Sequence, residues 1–165
     1  MLFYLPEHQL LHTADLTFPL FPTFPSSDGI RTRAVLEKCR AVAAAGAVAE
    51  LTDAHHHTVY RGRDDVVAFL QTLLFEHDHF RAVLREILDA RDGLTAAEIH
   101  AQLRRRRGDP VVHHYLSLEF PYLPMSLQQI IVVSLLEMGY STSGPRGRHR
   151  FHRPRTNARS ADGLA

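Results

Sequence analysis

The stretch Leu51–Gly62, L-T-D-A-H-H-H-T-V-Y-R-G, decides the fold because it joins an apolar run to three consecutive histidines. Residues 47–51 are small or apolar apart from Glu50, so they predict a short buried strand. The neutral imidazole is the commonest protein ligand for metal ions, and a strand end fixes a ligand better than a free loop does. The histidines are therefore candidate metal ligands, with a solvated polar loop as the alternative for any one of them.

A second short apolar segment lies upstream. Residues 10–15, L-L-H-T-A-D, predict a strand that ends in a carboxylate, and residues 2–5 predict an antiparallel partner for it across a turn. Between the two strands, Ser26, Ser27 or Asp28 can cap a helix that runs to about Ala45. The apolar face expected for this helix comprises Val35, Leu36, Cys39, Val42 and Ala43. Together these segments predict a strand, helix and strand unit.

The steps that end the two strands carry a resemblance to a known family. Thr13-Ala14-Asp15 is similar to a Thr-Gly-Asp step, and Ala54-His55 is similar to a Gly-His step; in this order they resemble the second half of the metallo-β-lactamase-fold hydrolases. The resemblance implies that Asp15 bridges or completes a two-metal site and that His55 is a ligand of one metal. His56 and His57 are the alternative ligands, and the metal expected is zinc, with iron or manganese equally suited to His and Asp.

The main motif of that family, H-x-H-x-D-H, is absent from this sequence. His77-Asp78-His79 falls within a predicted helix, where residues two apart point to different faces and cannot chelate together. Catalytic zinc usually holds three protein ligands and a water molecule, and the resemblance supplies two. We therefore expect the C-terminal portion of a hydrolase that is weak or inactive without the missing half, and whether the chain alone is an enzyme is left open.

The rest of the chain predicts helices followed by a small hairpin. A long helix opens at Gly62 and runs to about Ala90, with a continuous apolar stripe. Thr95 and Glu98 form a capping box for the next helix, and Asp109 can cap a short one, although Val111 and Val112 leave a strand possible. A last helix over residues 127–138 precedes two strands around residues 143–147. Hydrolases of the resembled class often carry such a winged-helix domain at this place.

Charge is distributed unevenly along the sequence. Residues 104–165 contain ten Arg and four Asp or Glu, whereas the preceding residues are acidic overall. Arg146, Arg148 and Arg150 in the predicted wing are therefore candidates for contact with nucleic-acid phosphates. The helix that would enter a groove, residues 127–138, has no Arg, Lys or Asn, so only non-specific contact is expected. A solvated basic face is the alternative.

Composition limits the remaining possibilities. One cysteine, Cys39, excludes an internal disulfide framework, and its place in an alanine-rich helix predicts a buried small residue. The sequence has no apolar run of the roughly 18 residues that cross a membrane and no signal peptide at its start, so a cytoplasmic location without membrane contact is expected. An incomplete sheet has exposed edges. The expected protein partner is therefore a second copy in a homodimer or a chain that supplies the missing half.

These features predict an α/β (α+β) protein. Residues 1–60 form an incomplete metallo-β-lactamase-like layer, residues 61–154 form a long helix and a mainly helical winged-helix domain, and residues 155–165 form a flexible tail. The leading function is metal-dependent hydrolysis of a small-molecule ester, thioester or phosphodiester, with Tyr60 or His56 in contact with the substrate. The alternative is a non-enzymatic winged-helix protein that binds nucleic acid or acts as an adaptor.

Overall fold

The N-terminal residues form a β-hairpin. The structure is a computed structural model that describes residues 2–14, 28–54, 58–117, 127–145 and 148–154. Strand β1 (Phe3–Leu5) pairs antiparallel with β2 (Leu10–His12), and a 3-10 turn over Pro6–His8 connects them. Pro6 suits the first position of this turn because its φ is already fixed near the required value. The predicted hairpin is confirmed.

A helix connects this hairpin to a parallel strand. Helix α1 (Gly29–Ala44) leads to β3 (Glu50–Thr52), which pairs parallel with β2, so that Leu11 lies opposite Leu51. Strand β4 (Tyr60–Arg61) then pairs antiparallel with β3, and the sheet order is β1-β2-β3-β4. A parallel pair needs a crossover connection, which α1 provides.

The third strand begins later than predicted. Residues 47–51 were expected to form it, but β3 starts at Glu50 because residues 46–49 are needed to leave the helix. Gly46 has φ +83°, and the Ala47 N–H donates to Val42 O, which closes the C-terminus of α1. The Ala49 N–H then reaches Gln9 O at 2.8 Å, where the segment joins the sheet.

Helix α1 contributes a narrow apolar face to a cluster that also contains Leu11 of β2 and Leu51 of β3. The side chain of Asp28 caps the helix by accepting a hydrogen bond from the Arg31 N–H at 2.8 Å. Of the three predicted cap candidates, Asp28 is the described one, and Ser26 and Ser27 lie outside the described residues. Leu36, Cys39 and Ala43 are buried at spacings of three and four. Val42 was predicted on this face but is 46% exposed, because it lies about 100° around the helix from Ala43.

Helix α2 (Arg63–Ala90) belongs to two apolar clusters. Its first half, from Val66 to Leu74, packs with α1, β2 and β3. Its second half, from Phe80 to Leu88, packs with the elements that follow it. Gly62 precedes the helix with φ +85° and ψ +146°, a backbone conformation that is essentially restricted to glycine.

The second cluster is built from three more helices and a small sheet. These elements are β5 (Leu94–Thr95), α3 (Ala96–Arg105), α4 (Pro110–Ser117), α5 (Leu127–Glu137), β6 (Ser141–Ser143) and β7 (Arg150–His152). The strands are antiparallel in the order β5-β7-β6. Leu94 and Phe151 are each 1% exposed and face each other in the register of β5 and β7, so this sheet closes one side of the cluster.

Local capping sets the helix starts in this part of the chain. The Thr95 and Glu98 capping box that begins α3 is confirmed, with both reciprocal hydrogen bonds present. Asp109 Oδ1 accepts from the N–H groups of Val111 and Val112, so residues 110–117 form a helix and not the alternative strand. The described residues thus form a mixed α+β protein, and none of their helices is both long and apolar enough to span a bilayer.

A polar contact joins the two clusters. The Arg81 guanidinium on α2 pairs with the Glu137 carboxylate at the end of α5, and both side chains are largely buried, at 15% and 13% exposure. Glu137 Oε1 also accepts from the Gly29 N–H at 2.7 Å. One carboxylate therefore connects the first residue of α1, the middle of α2 and the last turn of α5. Gly29 is favoured there because a Cβ would lie 2.7 Å from Glu137 Oε2.

Candidate functional site

The C-terminal ends of β2 and β3 lie side by side. Beyond the strands, the Thr13 N–H donates to Thr52 O at 2.9 Å and the Ala54 N–H donates to Ala14 O at 3.2 Å. The Thr13 side chain is fully buried, and its hydroxyl also donates to Thr52 O at 3.2 Å. The parallel pairing therefore continues to Ala14 and Ala54, the residues that precede Asp15 and His55 in the sequence.

Ala14 has an unusual backbone conformation. Its φ is +48°, in the left-handed region that costs an L-residue with a Cβ roughly 1–2 kcal/mol. The hydrogen bonds of Thr13 and Ala14 to β3 and its following loop hold the chain in this conformation. Residues kept in such conformations cluster at functional sites, where the surrounding structure compensates for the strain.

We expect Ala14→Gly to raise the free energy of unfolding by about 0.5–1 kcal/mol, because glycine adopts this φ without the steric penalty and loses part of that gain in unfolded-chain entropy. Urea unfolding followed by circular dichroism measures the change. Ala44→Gly, near the helical C-terminus of α1, is the matched control and should destabilise, since glycine is a poor helix former. Destabilisation by Ala14→Gly would show that the left-handed conformation is not adopted in solution.

The predicted metal ligands lie outside the described residues. These are Asp15, His55, His56 and His57. Within the described ranges no group of three or more His, Cys, Asp or Glu side chains is arranged to hold a metal ion. The structure thus describes the residues that precede the predicted ligands, namely 13–14 and 52–54. The ligands themselves remain predictions.

Tyr60, a candidate for substrate contact, is engaged in packing. Its ring stacks on Phe69 of α2 with the centroids 3.9 Å apart and the planes 15° from parallel. Partial burial, together with the nearby Asp53 carboxylate, raises the pKa of the Tyr60 phenol. The ring therefore packs against the apolar cluster formed by α1, β2, β3 and the first half of α2, and it holds β4 in contact with α2.

The histidines of α2 do not act together. His77 is 3% exposed at the apolar face, and burial followed by the charge of Arg81 lowers the pKa of its imidazole. His79 points elsewhere and its Nε2 lies 2.6 Å from Asp109 Oδ2 at the start of α4. Asp78 between them forms a two-point ion pair with Arg33 of α1. His77 Nδ1 also lies 3.3 Å from Asp78 Oδ1, whereas His79 contacts Asp109, so the two histidines have different partners, as expected for residues two apart in a helix.

Two contacts between α2 and α4 could not be predicted from the sequence. One is the His79 and Asp109 pair, and the other joins His114 Nδ1 to Glu76 Oε2 at 3.2 Å. The hydrogen bond to Glu76 raises the pKa of the His114 imidazole. The i, i+3 spacing of Glu76 and His79 places both on one helix face, and this spacing is the only local signal for the contact.

A groove of about 1190 Å³ lies beside the small sheet of the second cluster. It runs between the first turn of α3, the N-terminal half of α5 and strand β7. Its polar and basic lining residues are Thr95, Gln128, Gln129, Arg148, His149 and Arg150. The groove is therefore the described surface at which the basic strand residues and the polar side of α5 meet.

Of the three arginines that are candidates for phosphate contact, Arg148 and Arg150 are described, and they differ in their contacts. Arg150 Nη1 donates to Gly93 O at 2.7 Å and lies 3.7 Å from Glu98, so part of its charge is neutralised locally. Arg148 is exposed, and no described residue forms a hydrogen bond or ion pair with its side chain. Arg146 lies outside the described residues. Of the described pair, Arg148 is the more available for an anionic ligand.

Comparisons of the chain with known protein families, with curated proteins and with solved structures found no match.

Proposed function

We propose that this chain is the C-terminal portion of a metallo-β-lactamase-like, metal-dependent hydrolase that ends in a winged-helix domain. One observation carries the proposal: the Ala54 N–H donates to Ala14 O, so the peptides that lead into Asp15 and His55 are adjacent at one edge of the sheet. Ligands and substrates of α/β sheets usually bind beyond the carboxyl ends of parallel strands, and in the sequence Asp15 and His55 follow the carboxyl ends of β2 and β3.

The conformation of Ala14 supports the same proposal. The step that Thr13-Ala14-Asp15 resembles has glycine in its middle position, and Ala14 adopts a φ of +48° that glycine adopts freely. Strained backbone of this kind clusters at functional sites, so the positive φ of Ala14 supports a site next to residue 14. The order of the later elements, namely a helix, a short strand, three helices and a two-stranded hairpin, supports the winged-helix part.

In the proposed site, Asp15 and His55 would be the residues of this chain that hold the metal. A bound metal would supply a hydroxide at neutral pH by lowering the pKa of its water ligand. Two protein ligands are fewer than the three that a catalytic zinc usually has, so the site would need at least one further ligand. The chain on its own is then weak or inactive as a hydrolase, and its substrate class is an ester, thioester or phosphodiester.

Metal binding tests the proposal. We expect the purified chain to retain less than one equivalent of zinc, iron or manganese after gel filtration, measured by elemental mass spectrometry. Added Zn²⁺ should bind weakly in calorimetry, and Asp15→Ala or His55→Ala should weaken that binding about tenfold or more. His8→Ala, which removes an exposed histidine of the 3-10 turn, is the control and should leave it unchanged.

Two results would contradict this proposal. Stoichiometric metal that stays bound to the isolated monomer would mean that the site is complete within this chain. Equal Zn²⁺ affinity of the unmodified protein and Asp15→Ala would remove Asp15 from the site. Loss of binding in His56→Ala or His57→Ala, with His55→Ala unaffected, would transfer the ligand role within the histidine run and leave the rest of the proposal intact.

A second function is favoured by the groove next to β7. We propose weak, non-specific binding of nucleic acid there, because Arg148 is exposed and Gln128 and Gln129 are the polar residues that α5 contributes to the lining. Ser134 of α5 is buried and Glu137 is paired with Arg81, so neither is available for base contact. This composition supports contact with phosphates and not base-specific recognition.

For this second function we expect the affinity for a short DNA duplex to fall roughly 40-fold between 50 and 200 mM salt if three arginines contact phosphates. Fluorescence anisotropy measures it. Arg148→Ala should weaken binding more than Arg150→Ala does, because Arg150 is held by Gly93 O and Glu98. Affinity that does not change with salt or with Arg148→Ala would leave the groove without a role in nucleic-acid binding.

A further inference from the structure

Three polar side chains form a hydrogen-bonded chain at the small sheet of the second cluster. Ser143 Oγ lies 2.7 Å from His152 Nε2, and His152 Nδ1 lies 3.1 Å from Asp92 Oδ2. Ser143 is the last residue of β6, His152 is the last residue of β7, and Asp92 lies between α2 and β5. Residues far apart in the sequence therefore meet at one imidazole ring.

The register of the hairpin brings the serine and the histidine together. In the antiparallel pairing of β6 and β7, Ser143 lies opposite Arg150. His152 is two residues further along β7, so it lies on the same face as Ser143 and is its diagonal neighbour. Phe151 points to the other face, where it is buried in the second cluster. The serine and the histidine are thus on the face of the sheet that is turned away from the apolar core.

Asp92 is held in place as the carboxylate partner of this imidazole. Its Oδ1 accepts from the Arg153 N–H at 2.9 Å, and its Oδ2 is the oxygen beside His152 Nδ1. The hydrogen bond from Arg153, followed by that from His152, lowers the pKa of the Asp92 carboxyl. An ionised carboxylate can only accept, so the proton of a neutral His152 ring is on Nδ1. Nε2 is then the acceptor for the Ser143 hydroxyl.

We propose that Ser143 is the nucleophile of a serine-type ester hydrolase site, with His152 as its general base and Asp92 as the residue that positions the imidazole. The same ring atoms are used in serine hydrolases, where Nε2 accepts from the nucleophile and Nδ1 donates to an aspartate. Both distances are within the hydrogen-bond reach that activation of a serine requires. This site is separate from Asp15 and His55, and its reaction needs no metal.

The proposed reaction converts one ester and one water molecule into one acid and one alcohol. Ser143 Oγ bonds to the acyl carbon while its proton passes to His152 Nε2. The imidazolium gives that proton to the leaving alkoxide as the ester C–O bond breaks, which releases the alcohol and leaves an acyl-serine. Water then attacks the acyl carbon and gives a proton to His152, which passes it to Ser143 Oγ as the acyl-serine bond breaks.

The adjoining groove indicates the charge of the substrate. Gly144, which follows Ser143, and Arg150, which lies opposite it, both line the groove. Arg148 also lines it and is exposed. Because cationic side chains attract the anionic end of a ligand, the expected substrate is an ester that carries negative charge.

The site is more open to solvent than a deep active-site cleft. The side chains of His152 and Asp92 are 35% and 41% exposed, so water competes for their hydrogen bonds. Electrostatic stabilisation is weaker where water is not excluded. We therefore expect slow turnover, and covalent labelling of the serine is a more sensitive measurement than product release.

A fluorophosphonate tests the proposal on the full chain, because its phosphorus bonds to an activated serine oxygen with loss of fluoride. We expect one equivalent of label on Ser143, located by peptide mass spectrometry, and no label in Ser143→Ala. His152→Ala and Asp92→Asn should each lower the labelling rate at least about tenfold, since a general base typically contributes roughly 10²–10⁴-fold. Added imidazole should restore part of the rate in His152→Ala. Ser141→Ala, on the same strand and opposite His152, is the matched control and should be labelled at the unmodified rate.

The charge of the substrate is tested with 4-acetoxybenzoate, which is anionic, and phenyl acetate, which is uncharged. We expect a lower KM for the anionic ester, and Arg148→Ala should remove that difference because it removes the exposed guanidinium of the groove. Equal KM values for the two esters in the unmodified protein would contradict the proposed charge preference.

Several outcomes would overturn the proposed site. They are the absence of label at millimolar probe, equal labelling of Ser143→Ala, and equal labelling rates of the unmodified protein and His152→Ala, because hydrogen bonds that only hold the hairpin would give these results. If circular dichroism shows that His152→Ala does not fold, an unchanged rate in Asp92→Asn overturns the proposal instead. Labelling should be the same with and without EDTA. Its loss on chelation would contradict a reaction that is independent of metal.

Discussion

Glu137→Ala is expected to lower the free energy of unfolding by about 3–5 kcal/mol, because it leaves the largely buried Arg81 guanidinium without its ion-pair partner. The substitution also removes the acceptor of the Gly29 N–H at the start of α1. Since this carboxylate links α1, α2 and α5, its loss weakens the connection between the two apolar clusters. The sequence contains no tryptophan, so unfolding in guanidinium chloride is followed by circular dichroism at 222 nm, which gives the change in free energy.

The control is Glu86→Ala on the same α2 helix. Glu86 pairs with Arg106 at 2.7 Å, but its side chain is 64% exposed, so we expect a loss of at most about 0.5 kcal/mol. A double variant, Arg81→Met with Glu137→Leu, should recover much of the stability, because it removes both charges together. A loss below about 1 kcal/mol for Glu137→Ala would mean that the Arg81 and Glu137 contact is solvated in the protein.

Phe80→Ala is expected to destabilise the protein by about 3–5 kcal/mol through the cavity it leaves in the second cluster. Phe80 is 2% exposed, and its ring stacks on Tyr115 with the centroids 3.9 Å apart and the planes 2° from parallel. The contact fixes α4 against α2. Tyr115 would lose its stacking partner, which adds to the loss from burial.

Phe75→Ala is the matched control for the Phe80 prediction. Phe75 is on the same helix but is 57% exposed, and its ring stacks on His79 at the surface. We expect a change of about 1 kcal/mol or less, measured by the same denaturant unfolding. Equal effects of the two substitutions would contradict the assignment of Phe80 to the core.

Much of the fold is predictable because short-range chemistry determines it. The Thr95 and Glu98 capping box and the Asp109 cap each act within three residues, so the sequence alone indicates where α3 and α4 begin. The start of β3 was predicted three residues early, because apolar residues 47–49 are equally suited to a strand and to the connection from α1. The prediction that Val42 lies on the apolar face of α1 was wrong, because an apolar residue type does not by itself determine which side of a helix is buried.

The contacts between elements could not be predicted in this way. Arg81 and Glu137 are 56 positions apart, and His79 and Asp109 are 30 apart, so no local pattern pairs them. The left-handed conformation of Ala14 likewise depends on its bond to the loop after β3, and nothing in the residue type indicates it. The adjacency of the two strand ends was predicted from a family resemblance, and the described residues 13–14 and 52–54 agree with it. The roles of Asp15 and His55 stay predictions.

We propose that Asp15 and His55 lie together beyond adjacent strand ends, and disulfide trapping measures whether they do. In a Cys39→Ala background, Asp15→Cys with His55→Cys should form an intramolecular disulfide within minutes of mild oxidation, because such a bond requires Cα atoms roughly 4.4–6.8 Å apart. Ala45→Cys with His55→Cys is the control, since Ala45 lies at the end of α1 that leads into the start of β3. Rapid trapping of the first pair alone is the predicted result. Trapping of the first pair no faster than that of the control would contradict the proposed site.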